Sequence, residues 1–327
     1  MLEKPLLFRL TYRTVICFLL SQSIYAGELR HLQINADSTV TSDDFSIKTL
    51  DVIVRNHRRE LIFPFENASN SALDWGLYGT ANIGKLGSTK FSGRGLSGVL
   101  GRKYNSEFYL EASLGFQALD SDATSKSLFA PSVKAEWAKP KSFSLQWSAS
   151  RIFMYQRAYL PGPITEGTSA WSFKPYTTAY FNDRLKFLLR PEISWPDDGN
   201  KRFYIDVSLM YGVSLWPTWL WVGVGSEKLS NSKPSSYWSP SKFYSYGLRL
   251  EVNGRLVDKL SGSLGLNLNK LKEEDLSEGD GHYFNAGLVY GERNDQNLKL
   301  EFTNIKSVQS NSEWESNSLK LIWNYFW

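Results

Sequence analysis

Cysteine is nearly missing from this 327-residue chain: the single one, Cys17, falls within the first 26 residues. The rest has no disulfide framework, no thiol nucleophile and no thiolate metal site. Histidine is almost as scarce. His31, His57 and His282 stand far apart, with no His-x-x-x-His or histidine–carboxylate spacing, so neither a metal nor a cofactor is expected. Long apolar runs are missing too. Past residue 26 nothing nears the ~18 residues that a spanning helix needs, and the mean hydropathy is −0.33. Polytopic helical membrane proteins are thereby excluded, and any membrane span is β. A large charge excess is also lacking. Lys and Arg number 37 against 33 Asp and Glu; residues 1–26 hold three of the former and one of the latter, so the net charge falls from +4 to +2 without them. That balance does not argue for nucleic acid.

The first 26 residues read as a secretory signal. Lys4, Arg9 and Arg13 precede the apolar stretch Val15 to Leu20, and Ser23-Ile24-Tyr25-Ala26 offers a cleavage site before Gly27. The other reading, an uncleaved anchor helix, asks more length than this stretch has.

Aromatic residues are plentiful: 12 Trp, 17 Tyr and 19 Phe. They sit in segments of period two. Near the end, Leu319, Leu321, Trp323, Tyr325 and Trp327 alternate with Ser318, Lys320, Ile322, Asn324 and Phe326. The same parity recurs at Phe143–Ala149, Leu185–Ile193, Phe203–Tyr211 and Leu260–Leu268, against polar or small residues such as Ser144, Gln146 and Ser148. An apolar face opposite a polar one suits a wall between lipid and water. A sandwich core alternates similarly. Trp75, Trp195, Trp216, Trp219 and Trp314, near strand ends, read as interfacial girdles.

Connections separate the two. Links fall near 306–316, 292–296, 270–281, 253–259, 226–242, 216–218, 196–202, 182–184, 154–169, 138–141, 119–127 and 103–107, long and short mostly in turn. Outer-membrane barrels have tight periplasmic turns and longer outer loops; sandwiches have no reason to alternate. The fold class expected is all-β, a transmembrane antiparallel up-and-down barrel. About fourteen strands lie from residue 72 onward, and a hairpin of 45–55 with 59–66 makes sixteen. Residues 27–44 are polar and read as a periplasmic N-terminal segment or an extra strand, leaving 45–327 as the barrel.

Chemistry of other kinds is thin. His282, where a strand begins after the link 270–281, makes a barrel hydrolase with a serine conceivable, but no Gly-x-Ser-x-Gly or Walker-type loop occurs. Gly93 to Gly98 lies in a strand-period segment, where glycine serves close backbone approach. Glu273-Glu274-Asp275 reads as a solvated loop rather than a calcium site.

The segment Tyr237-Trp238-Ser239-Pro240-Ser241-Lys242-Phe243, entering the strand Tyr244 to Leu248, resembles a loop-to-strand element in the outer-membrane barrels of exopolysaccharide exporters, the poly-N-acetylglucosamine and cellulose porins. The terminal Tyr325 and Trp327 resemble the assembly signal of outer-membrane barrels. The likeness covers the barrel, without the tetratricopeptide scaffold those exporters carry. It implies a pore in the outer membrane of a Gram-negative bacterium, not an enzyme. The implied partners are a polysaccharide chain, outer-membrane lipid, the barrel-assembly machinery and a periplasmic or outer-membrane export protein. A monomer is expected, and a general or small-solute porin is the alternative.

Lumen candidates follow from parity. Tyr109, Tyr176, Tyr180 and Tyr204 offer flat rings and hydroxyls to sugars. Lys134 with Glu136, Arg190 with Glu192, Arg249 with Glu251 and Lys299 with Glu301 recur two apart and read as self-neutralising pairs, which points to a neutral or weakly charged polymer. The links 154–169 and 226–242, stiffened by prolines, are expected to fold inward over the pore.

Overall fold

The computed structural model describes residues 31–56, 73–105, 107–139, 142–156, 163–215, 218–274, 276–291, 296–309 and 312–326. Its strands are β1 (His31–Thr41), β2 (Phe45–Arg55), β3 (Leu73–Leu86), β4 (Thr89–Lys103), β5 (Phe108–Ser121), β6 (Ser125–Phe129), β7 (Ser132–Lys139), β8 (Phe143–Phe153), β9 (Ser169–Asn182), β10 (Leu185–Pro196), β11 (Arg202–Leu215), β12 (Thr218–Asn231), β13 (Phe243–Val257), β14 (Leu260–Glu273), β15 (Gly279–Gly291), β16 (Gln296–Gln309) and β17 (Ser312–Phe326). A 3-10 turn, Met154–Gln156, and one helical turn, α1 (Pro163–Glu166), lie between β8 and β9.

Each strand runs antiparallel to its neighbours, and β1 pairs with both β2 and β17, so the sheet closes. Closure leaves no edge, the condition for a β chain to satisfy its backbone inside a bilayer. Segments β6 and β7 form one stave. Both pair with β5 in a single register, Phe116 opposite Phe129 and Ser113 opposite Ser132. The break falls at Pro131, which has no N–H to give the ladder. Counted this way, the barrel has sixteen strands.

The sixteenth strand is not the expected one. Residues 45–55 form β2, but its partners are β1 and β3, and 59–66 lies outside the described residues. Of the two readings of 27–44, the structure places His31–Thr41 in the wall as β1 rather than in a periplasmic segment. Its apolar face is thin, Leu32, Ile34, Ala36 and Val40 around Ser38, and the seam is held from inside: the His31 ring stacks on Phe326 at 4.4 Å and 13°.

The two faces of the wall differ as the parity requires. Leu209 is 44% exposed and Leu248 61%, whereas their neighbours Ser208 and Arg249 are 1% and 6% exposed. Leu50, Ile83, Leu96, Leu114, Val224, Leu268 and Leu321 continue the aliphatic outer surface, far more apolar area than a water-soluble monomer shows. The inner face carries Gln33, Asn35, Thr80, Ser172, Ser194 and Asp206.

β1 begins and β17 ends at one rim, here the terminal rim; the opposite one is the loop rim. At the loop rim only the links 154–168 and 232–242 are long, while others there, such as 42–44, 87–88 and 122–124, are as short as the turns of the terminal rim. The expected alternation of short and long links therefore holds only in part. Much of what reads as loop, such as 226–231 and 270–273, is paired strand: Lys228 faces Tyr244 and Tyr244 faces Lys272. Polar side chains beyond the aliphatic band hide these strand ends, although the ladder continues. One tight turn is as read: Asn182 Oδ1 accepts the Arg184 backbone N–H at 2.8 Å between β9 and β10.

Candidate functional site

All twelve candidate path residues face inward. The registers place Tyr109 beside Glu136, Tyr176 beside Gln146, Tyr180 beside Lys186 and Glu192 beside Tyr204, and Arg190, Arg249, Glu251, Lys134, Lys299 and Glu301 share that face with them. Two of the four expected same-strand pairs form and two do not. Lys134 does pair with Glu136, and Lys299 lies 2.6 Å from Glu301. Arg190 instead meets Asp206 at 3.5 Å, and Glu192 meets Lys174 at 3.3 Å. Arg249 meets Asp206 at 2.5 Å, and Glu251 meets Lys186 at 2.5 Å. Arg190 and Glu192 pair with the neighbouring strand, while the concave wall lets Arg249 and Glu251 reach strands two and three away, neither of which one strand's own i, i+2 spacing reveals.

Glycines make these crossings possible. Arg249 of β13 lies over Gly225 of β12, where an added Cβ would fall 2.0 Å from Nε, and reaches Asp206 and Ser208 on β11. Near the terminal rim, Arg55 Nη1 lies 2.9 Å from both Asp74 and Glu111. The Tyr109 hydroxyl sits 2.8 Å from Asp74, its ring crossing above Gly101. Tyr109 is thereby buried in the wall and offers no open ring to a ligand. In the first cluster Asp206 and Glu227 match Arg249 and Arg190; in the second Arg55 sits between two carboxylates, Asp74 and Glu111.

At the loop rim both long links fold inward. Tyr155 and Ile164 pack with Phe45, Phe91, Leu119, Leu128 and Phe153, which line the inner face of that rim. Gly93 of the 93–98 stretch makes room here for a side chain rather than for a second backbone: an added Cβ would fall 2.0 Å from the Tyr155 hydroxyl oxygen. Across the mouth, Trp238 and Tyr204 each pack against the cluster of Leu229, Phe243 and Leu271, with Trp238 and Phe243 edge to face at 5.2 Å. Tyr237 joins Met154 and Ala170, so the two links meet. Asn200 ties the second link down by donating to the Lys233 carbonyl, Ser235 Oγ and the Tyr237 hydroxyl. Asn231 Nδ2 donates to the Pro240 carbonyl at 2.8 Å, and Ser239 Oγ accepts the Ser235 backbone N–H. The motif Tyr237 to Phe243 is thus the inward-folded link itself. Burial pushes the Tyr237 phenol above its ordinary value. Glu274 fastens the same link from outside: the Ser241 backbone N–H donates to it and holds its carboxyl below the usual range.

The aromatic girdle is corrected in part. Trp75 and Trp195 face outward at opposite rims, and Trp216 lies outside the described residues. Trp219 and Trp314 face inward. A position near a strand end leaves the face of a ring open, and the strand parity set by Val222 and Val224 puts Trp219 and Trp221 on the inner one. Trp221 has no signal of its own in the sequence and shares the inner face with Trp219. Tyr325 faces outward beside Trp323, and Trp327 lies outside the described residues.

His282 lies on the outer face, away from the lumen, its Nε2 2.5 Å from Asn304 Oδ1. Among the described residues no group of three or more His, Cys, Asp or Glu gathers as metal ligands do.

No protein-family model and no curated protein matches the chain. Solved structures do. A bacterial polysaccharide outer-membrane secretin aligns with TM-score 0.71 at 11% identity, over 92% of this chain and 99% of that one. Pseudomonas aeruginosa OpdQ (TM-score 0.45, 9% identity, 91% and 98% covered) and OpdO (0.44, 11%, 91% and 96%) align more loosely. What is shared at these identities is architecture: the chain has the fold of an outer-membrane β-barrel.

Proposed function

We propose that this chain is a monomeric outer-membrane pore through which an exopolysaccharide, neutral or weakly charged, leaves a Gram-negative cell with the help of periplasmic export partners. The observation that carries the reading is the lumen wall: a closed barrel, apolar outside, whose inner charges are paired in place by Asp206–Arg249, Glu192–Lys174, Glu251–Lys186 and Lys299–Glu301. A wall of one sign would focus a field on the path and suit a charged cargo; a compensated wall presents hydroxyls, amides and rings to an uncharged one. The likeness to a polysaccharide secretin agrees with this reading. On it, the terminal rim faces the periplasm and the inward-folded links face the medium. The pore works passively, as a channel rather than an enzyme.

Those links also favour a second reading. Tyr155 and Trp238 seated inside the mouth suit a general or small-solute porin, whose selectivity lies in a narrowed opening. Deleting the chromosomal gene and measuring secreted against periplasmic polysaccharide tests export. Loss of secreted polymer with periplasmic retention is expected, and unchanged secretion with impaired uptake of small solutes would install the porin reading in its place.

A further inference from the structure

The terminal rim carries an aromatic patch that the folded links do not use and that borders the Lys186–Glu251 pair. Trp219 and Trp221 of β12 stack with ring centroids 6.0 Å apart and planes at 20°, and Tyr180 of β9 meets Trp221 edge on at 6.4 Å and 66°. A contact between β9 and β12 spans two strands, so it lies on the concave side, inside the barrel. At the loop rim the large inward rings, Phe91 and Tyr155, are buried against their neighbours. Here Tyr180 and Trp219 stay 37% and 38% exposed. Ring faces left open in a polar lumen carry a hydration cost, which a ligand removes by covering them.

The patch is built, not incidental. Trp221 is pressed flat to the wall over Gly212 of β11, where an added Cβ would stand 2.9 Å from its six-membered ring. Lys186 Nζ lies 4.4 Å from the Trp221 ring centroid and is held at 2.5 Å from Glu251. Trp219 stands in one row with Ser214 and Asn253. The result is a flat apolar surface with donors and acceptors at its border and a neutral ion pair beside it. A pyranose has the matching form: C–H groups on one face and hydroxyls around the edge. An anionic ligand would meet Glu251 and a cationic one Lys186, each already committed to the other.

We propose that Tyr180, Trp219 and Trp221 form a docking platform for an uncharged pyranose ring of a glycan at the barrel's terminal mouth. This deepens the export reading by giving the chain end a first seat where it enters from the periplasm, and it rests on that reading only for its purpose. The sugar contact itself is measurable alone.

The test uses the full chain in planar bilayers, with cellopentaose and chitopentaose as probes added to each side in turn. Pentasaccharide on the terminal side is expected to interrupt the current. Trp219→Ala is expected to shorten those blocks about tenfold, Trp219→Phe to retain most of their duration, and the outward-facing Trp195→Ala to leave them as in the wild type. Saturation-transfer NMR of the detergent-solubilised chain reads the same contact whether or not the channel conducts. Transfer to pyranose ring protons is expected in the wild type and its loss in Trp219→Ala, each variant first shown to be folded by its heat-modifiable mobility. Equal block durations and equal transfer in the wild type and Trp219→Ala, or no contact with either sugar, would overturn the platform. If deletion of the gene abolishes secretion while those results hold, the platform fails and export stands. If the sugars dock as expected while secretion is untouched, export fails and the platform stands.

Discussion

Arg249 of β13 binds Asp206 of β11 across the strand between them, 2.5 Å from Nη2 to Oδ1, through the gap that Gly225 leaves. Both side chains are nearly fully covered, and Asp206 also receives Arg190. Removing Asp206 leaves the covered Arg249 guanidinium with only Glu227, at 3.4 Å, and the Ser208 hydroxyl to meet its charge, which is the costly direction. Asp206→Ala is expected to lower unfolding free energy by ~3 kcal/mol. Lys299→Ala, from a half-open pair, is expected to cost less than ~1 kcal/mol. Urea unfolding in lipid, followed by tryptophan fluorescence, compares the two; equal costs would mean that the crossing contact is not structural.

The face assignment has its own test. Leu209 points outward near the middle of β11, so Leu209→Arg is expected to cost ~2–4 kcal/mol in the bilayer. Asn267, inward at the middle of β14, is expected to accept arginine for less than ~1 kcal/mol. Ser208, next to Leu209, is a poor control because its hydroxyl receives Arg249. Similar losses at 209 and 267 would reverse the faces.

These residues also show where the sequence was legible. Alternation such as Leu319, Leu321, Trp323 against Ser318, Lys320, Asn324 needs only the period of a strand, and it placed every candidate path residue on the inner face. The partners were not legible, since Arg249 and Asp206 are brought together by curvature and by a glycine on a third strand. Nor was β1, whose outward row has alanine and serine at its centre where other strands have leucine. Trp219 was misplaced because a strand end says nothing about which side a ring faces.

The inward links are expected to set the conductance. Tyr155 and Ile164 anchor one of them, Trp238 the other. Tyr155→Ala with Ile164→Ser, and separately Trp238→Ala, should raise single-channel conductance by loosening the mouth. Unchanged conductance in both would show that the links cover the rim without narrowing it.

Compensated wall charge predicts weak ion selectivity. Reversal potentials under a salt gradient should stay near zero for the wild type, and Glu251→Gln, which frees Lys186, should move them toward anion preference. A strong preference in the wild type would mean that the charges act as a ring of one sign.

The central claim is that uncharged chains pass through the barrel. Proteoliposomes holding the full chain and loaded with fluorescent linear glucan, with its carboxymethylated counterpart in a second set, measure this directly. The account predicts release of the neutral polymer well ahead of the charged one. Retention of both while glucose escapes would contradict it and leave a small-solute porin.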